Sequence, residues 1–164
     1  MSQRELLLLR HANAEAQAAG QSDFDRPLSH LGREQSAAVA AWLKPQPRPQ
    51  LTLCSPALRT QQTLAVLEER LGPLHARMEP AIYDASPGTL LALLDGALAV
   101  EGIERVLLIG HNPGLESAVA LLSDGRSNAA RGMPTAAVAH LRLQEGGAIE
   151  PGSAELLSFW SPGS

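Results

Sequence analysis

The sequence has one cysteine in 164 residues, Cys54. A lone thiol excludes an internal disulfide framework and fits a reducing compartment. Aromatics are almost as scarce, with two Trp, two Phe and one Tyr, so a binding surface built on stacked rings is not the theme. Excess positive charge is missing too: the formal net charge is -4 and the pI is near 5.7. That argues against a nucleic-acid backbone as the main ligand, because such domains present a basic face, and any anion site must be local. No apolar run approaches the ~18 residues of a membrane span, and the run in "MSQRELLLLRHA" is too short for a signal-peptide core. A cytoplasmic protein with no membrane partner is expected. No repeat stands out, and "KPQPRPQ" (residues 44–50) reads as a stiff connection, too short for an interdomain linker. The length suits one domain over residues 1–164.

The apolar residues that are present, mainly Ala, Leu and Val, carry a clear pattern. "LLLL" (residues 6–9), "LTLC" (51–54) and "VLLIG" (106–110) do not alternate with polar residues, as in strands covered on both faces of a parallel sheet. Helical patterns lie between them. "LSHLGREQSAAVAAWLK" starts at Ser29 and sends Val39, Trp42 and Leu43 toward a core. "SPALRTQQTLAVLEERLGP" reads as a helix with Ser55 as N-cap and Pro56 in its first position, burying Thr60, Leu64, Leu67 and Leu71. "SPGTLLALLDGALA" and "NPGLESAVALLSDG" give two more, the latter capped by Asn112. From Thr135 the text changes to "TAAVAHLRL", a turn-rich stretch and "AELLSFW", a hairpin signal at a sheet edge. The expected fold is a three-layer α/β/α domain: a mostly parallel central sheet, helices on both faces, and an antiparallel edge or hairpin near the C-terminus.

In such folds ligands sit beyond the carboxyl ends of the strands. Three apolar runs end there in polar residues: "RHA", "CSPALR" and "GHNPG". The topology would gather Arg10, His11, Arg59 and His111 on one rim. Two guanidinium groups near helix N-termini make an anion site without net basicity, and phosphate is its natural ligand. One histidine could then attack phosphorus as a neutral imidazole while the other supports the transferring group.

Four segments in order carry a resemblance to the histidine phosphatase superfamily, the phosphoglycerate-mutase-like fold. "LLLLRHANAE" (residues 6–15) resembles its Arg-His-Gly signature, and "DRPLSHLGREQ" (25–35) the segment that follows. "CSPALRTQQT" (54–63) resembles its Ser-Pro-x-x-Arg-x-x-x-Thr element, and "LLIGHNPGL" (107–115) its second-histidine element. Short length, the Arg-His-Ala start and the Gly-His-Asn-Pro-Gly element are most similar to SixA-type phosphohistidine phosphatases. The resemblance implies a metal-independent phosphatase with no cofactor, in which His11 is the phosphorylated nucleophile. Arg10 and Arg59 would bind the phosphoryl group, His111 would complete the pocket, and Arg26 would also face it. Ala12 departs from the signature glycine, which bears on how closely the backbone approaches the phosphate. Superfamily members that act on esters use a carboxylic acid to protonate the leaving oxygen. "EPAIYDASPGTLL" offers Asp84 for that role, and Glu116 is a second carboxylate near the rim. A phosphohistidine substrate needs such an acid less, because imidazole is a better leaving group than an alkoxide.

Blander readings compete at each position. Arg10 and His11 could merely end a strand, Arg59 could be a solvated helix residue, His111 could only serve the next helix start, and Arg26 could pair with Asp23 or Asp25. Arg59 near a helix N-terminus opposes the helix dipole, which favours a ligand role. A zinc site from His11, His111 and Asp84 is disfavoured by the neighbouring arginines. His30, His75 and His140 match no motif and read as structural or solvated, and Cys54 reads as a small buried hydrophobe. Three functions follow. The first is removal of phosphate from a phosphohistidine on a protein, releasing inorganic phosphate, with the open pocket of a chain lacking a cap insertion. The second is hydrolysis of a small phosphate ester, and the third a non-catalytic phosphate-binding module.

Overall fold

The computed structural model describes residues 3–127, 132–144 and 147–163. Its frame is one six-stranded sheet. The strands are β1 (Glu5–Arg10), β2 (Leu51–Cys54), β3 (Ala76–Met78), β4 (Arg105–Gly110), β5 (Val138–Leu143) and β6 (Ala154–Trp160), in the spatial order β3-β2-β4-β1-β5-β6. The pairs β2–β3, β2–β4 and β1–β4 are parallel, whereas β5 joins β1 antiparallel and β6 joins β5 antiparallel. Among the described residues the α-helices are α1 (His30–Leu43), α2 (Leu58–Leu71), α3 (Pro87–Leu98) and α4 (Gly114–Asp124). Mostly parallel sheet, helices on both faces and a C-terminal antiparallel pair are the architecture expected from the residue pattern. The exposed edge strand β3 is an addition: its three residues carry no apolar run to betray it.

The unbroken leucine run is explained by two cores. Leu6 and Leu8 point into one, packed by α3 and α4, and Leu7 and Leu9 into the other, packed by α1 and α2. All four are fully buried, each contributing about 2 kcal/mol of transfer free energy. Val106 and Leu108 share the first core, Leu107 and Ile109 the second. A strand buried on both faces has no polar side to display, hence the absence of alternation. Trp42 lies against the second core and stacks on Trp160 of β6, ring centroids 5.6 Å apart.

Helix starts follow local chemistry with two corrections. Ser29 Oγ accepts from Gly32 N at 3.0 Å, and Ser86 Oγ accepts from Thr89 N at 3.2 Å, as N-caps do. Ser55 does not cap α2. Its backbone N–H donates to Ile109 O, prolonging the β2–β4 ladder, so the helix begins only after Ala57. Pro113 rather than Asn112 occupies the N-cap position of α4, but Asn112 Oδ1 still accepts from Glu116 N at 3.2 Å. Two glycines are required by close approach. A Cβ on Gly32 would lie 2.0 Å from Asn13 O, and one on Gly114 would lie 2.5 Å from Ala85 O. Both contacts pin a helix start beside the loops that leave the sheet.

The topology also places a crevice. The neighbours β1 and β4 are parallel, yet the chain leaving β1 runs to α1 on one face while that leaving β4 runs to α4 on the other. Adjacent strands whose connections diverge open a gap beyond their carboxyl ends. Among the described residues no helix is long and apolar enough to cross a membrane.

Candidate active site

A cleft of about 530 Å³ opens at that gap. Arg10, His11, Arg26, Arg59, Asp84 and His111 all line it, joined by Asp23 and Tyr83. Arg10 is the last residue of β1 and His11 follows it; His111 directly follows β4; Arg59 is on the first turn of α2. The backbone holds the first pair firmly. His11 N donates to Gly110 O at 3.1 Å, Arg10 N donates to Ala137 O at 3.1 Å, and Ala12 N donates to Thr63 Oγ1 at 3.1 Å.

The hydrogen bonds fix the tautomer of each imidazole. His11 Nδ1–H donates to Ala12 O at 2.7 Å, which leaves Nε2 with its lone pair turned toward Arg59 Nε at 3.3 Å. Arg59 Nη2 lies 3.4 Å from His111 Nδ1, and since a guanidinium only donates, that nitrogen is an acceptor. His111 Nε2–H therefore donates to Ser55 Oγ at 2.8 Å. The imidazole rings are 5.2 Å apart between centroids, and the edge of Tyr83 stands 5.3 Å from His111.

Electrostatics keep both rings neutral. Burial, followed by the charges of Arg59, Arg10 and Arg26, pushes His11 down to about 4. Burial together with His11 and Arg59 pushes His111 down to about 3. Arg10 donates through Nη1 to Met133 O at 2.7 Å, while its Nε is buried with no hydrogen-bond partner. Arg105 Nε is buried and unpartnered in the same way, so the orphan nitrogen does not by itself mark a ligand.

The carboxylates divide by position. Asp84 is exposed at the cleft wall between Tyr83 and Ala85. Glu116 is absent from the lining: it accepts from Asn112 Nδ2 at 3.1 Å and from Gly132 N at 3.1 Å. Arg26 does two things at once, lining the cleft and donating through Nε to Asp23 Oδ1 at 3.0 Å. Sequence reasoning took Asp23 only as a partner for Arg26 and overlooked Tyr83, whose hydroxyl donates to Asp23 Oδ2 at 2.6 Å. The one available signal was its place beside Asp84, in a chain with a single tyrosine. Ser55 was misassigned to a helix cap, a role that hid its bond to His111. Burial raises the Cys54 thiol to about 12, which removes it as a nucleophile at neutral pH.

Comparison with known proteins bears on the family. Residues 6–94 match the model of the histidine phosphatase superfamily, branch 1. Phosphohistidine phosphatase SixA of Escherichia coli is 34% identical over 145 residues, spanning 87% of this chain and 88% of that protein. An uncharacterized chloroplastic protein of Arabidopsis thaliana is 33% identical over 134 residues, and the match takes in 73% of this chain but only 59% of that longer one. A structure of the protein histidine phosphatase SixA complexed with tungstate superposes with a TM-score of 0.81 at 33% identity, covering 96% of this chain and 97% of its own. With a family model spanning more than half its length and a relative alike over most of both chains, the protein belongs to the histidine phosphatase superfamily.

Proposed function

We propose that the protein is a metal-independent phosphohistidine phosphatase that works through a phosphorylated His11, as a single domain without a cap insertion. The observation that carries this reading is the tautomer of His11: neutral, pinned through Nδ1–H to Ala12 O, with Nε2 directed at Arg59. The SixA relative and the tungstate-bound SixA structure support it, since one is a phosphohistidine phosphatase by name and the other holds an oxyanion with the shape of phosphate.

The steps follow from the geometry. His11 Nε2 attacks phosphorus of a phosphohistidine on another protein; an N–P bond forms as the N–P bond to the substrate imidazole breaks. Arg10 and Arg59 supply charge-assisted donors to the phosphoryl oxygens. His111 reaches the group by a different route. A phosphoryl dianion beside Nδ1 favours its protonation, turning an acceptor into a donor without disturbing the bond to Ser55. Water then cleaves the His11–phosphorus bond and inorganic phosphate leaves. Asp84 is available at the wall to donate a proton to the departing group, and Arg26 adds positive charge at the mouth. The reducing compartment expected from the single, buried Cys54 is the cytoplasm.

The test uses a histidine-phosphorylated carrier protein bearing labelled phosphate. Brief mixing and denaturation at alkaline pH, where phosphohistidine survives, should leave label on the wild-type chain and none on His11→Ala. Undiminished release of phosphate by His11→Ala would end the proposal.

A further inference from the structure

We propose that Asp23 is a positioning residue: it fixes the guanidinium plane of Arg59, and the transfer step depends on that orientation. The inference rests on the phosphatase reading and deepens it, because neither the sequence motifs nor the relatives assign Asp23 a part.

Arginine has a planar fork whose value lies in its direction, and a long side chain has to be held to keep that direction. The guanidinium of Arg59 presents two edges. Its Nε and Nη2 face His11 Nε2 at 3.3 Å and His111 Nδ1 at 3.4 Å. The adjoining edge, which shares Nη2, is clamped by a single residue, with Nη1 donating to Asp23 O at 2.7 Å and Nη2 to Asp23 Oδ2 at 3.0 Å. Asp23 is itself immobilised. It opens a single 3₁₀ turn, Asp23–Asp25, whose closing bond runs from Arg26 N to the same Asp23 carbonyl at 3.2 Å. Arg26 Nε takes Oδ1 at 3.0 Å, and the Tyr83 hydroxyl takes Oδ2 at 2.6 Å. Tyr83 is buttressed in turn by the ring of Phe24, centroids 5.2 Å apart.

Two roles are conceivable for an acid at an arginine in a phosphate cleft, and they have opposite signs. A competitor occupies the arginine until phosphate displaces it, so its removal tightens oxyanion binding. A positioner holds the arginine for phosphate, so its removal weakens binding and slows transfer. The edge geometry favours the second, because Asp23 holds the Nη1–Nη2 edge and so keeps Nε turned toward His11. Its side chain is 46% exposed against 6% for Arg59, so removing it leaves a buried guanidinium without its anion and lowers stability as well. The loss specific to positioning is therefore read per folded molecule, with the thermal midpoint measured alongside.

The experiment compares wild type, Asp23→Ala, Asp23→Asn and Tyr83→Phe, with vanadate as the probe and the histidine-phosphorylated carrier as substrate. Asp23→Ala should bind vanadate about tenfold more weakly and lose on the order of 10- to 100-fold in kcat, with KM changing less. Asp23→Asn keeps one acceptor oxygen and should recover part of the rate. Tyr83→Phe should cost about threefold alone and nothing further on top of Asp23→Ala, because it acts through that carboxylate. Tighter or unchanged vanadate binding in Asp23→Ala, or additive losses in the double variant, would overturn the proposal. Should Asp23→Ala fail to fold, Asp23→Asn and Tyr83→Phe carry the same comparison. A wild-type chain that takes neither vanadate nor label overturns the phosphatase reading beneath it, a different result from failure in the variants alone.

Discussion

The two ends of the β1–β4 pair carry the same kinds of residue and use them differently. At the amino end, where Glu5 lies in register with Arg105, the buried Arg105 donates through Nη1 to Glu5 Oε1 at 2.7 Å and through Nη2 to Gln46 Oε1 at 3.0 Å. His140 of β5 bonds to the same carboxylate. At the carboxyl end Arg10 lies in register with Gly110, and no carboxylate touches Arg10, His11 or His111 among the described contacts. Asp23, at the rim, engages Arg59 and Arg26, and the charge of Glu116 acts on Arg10. One end is a closed ion cluster that ties three strands together. The other is a cluster of cations and neutral rings that lines an open cleft. Arginine and histidine at a strand end are thus silent about function until the charge balance around them is known.

The sharpest way to break this contrast is His11→Ala, expected to lower phosphohistidine turnover by at least about 10³-fold while leaving the thermal midpoint close to that of wild type. Arg59→Lys comes next, about 10²-fold in kcat/KM, because an ammonium has no second edge to offer. Substitution at the opposite end should behave in reverse. Glu5→Gln leaves Arg105 and His140 without their shared anion and should cost about 1–3 kcal/mol in denaturant unfolding, with specific activity of the folded fraction unchanged. A large loss of kcat there would erase the distinction between the ends.

Titration sharpens it further. The imidazoles of His11 and His111 ordinarily titrate near 6.5 and are pushed down to about 4 and about 3 in the folded chain. The unfolded chain thus binds more protons over that window, so stability should fall as the pH drops from about 6.5 toward 4, and these two groups contribute no pH dependence above it. The nucleophile, in contrast, stays neutral, so kcat/KM measured on folded protein should show no ionisation from pH 7 to about 5 beyond that of the substrate's own phosphoryl group. A further acidic limb near 6.5 would contradict the buried, neutral His11. The smallest effect belongs to Asp84→Asn, expected within about threefold on a phosphohistidine protein and larger on an alkyl phosphate, where the leaving oxygen needs the proton.

The carboxyl-end cleft was legible because its residues stand at the ends of apolar runs. Arg10 ends a strand, His11 and His111 each follow one directly, and Arg59 lies in the first turn of the helix after β2. Strand and helix order, and with it the layered sheet, came from the same runs. Residues whose position depends on the path of a loop were not legible. Asp23 reaches Arg59 across 36 positions of sequence and Tyr83 reaches Asp23 across 60, and no local periodicity encodes such meetings. Ser55 shows the converse failure: a local rule, serine before proline as a helix start, was overridden because its backbone was still needed by the β2–β4 ladder. Short β3 escaped for want of any apolar signal.

The distribution of rings across the molecule has a spectroscopic consequence. Both tryptophans are spent on one stack, Trp42 on Trp160 with planes 14° apart, and neither lines the cleft, whereas the chain's only tyrosine does. Indole fluorescence and the exciton couplet of the stacked pair will therefore register the departure of the edge strand β6 from α1 and stay blind to an oxyanion entering beside His11. A difference spectrum in the tyrosine band will do the opposite, so two wavelengths in one cuvette separate unfolding from occupancy.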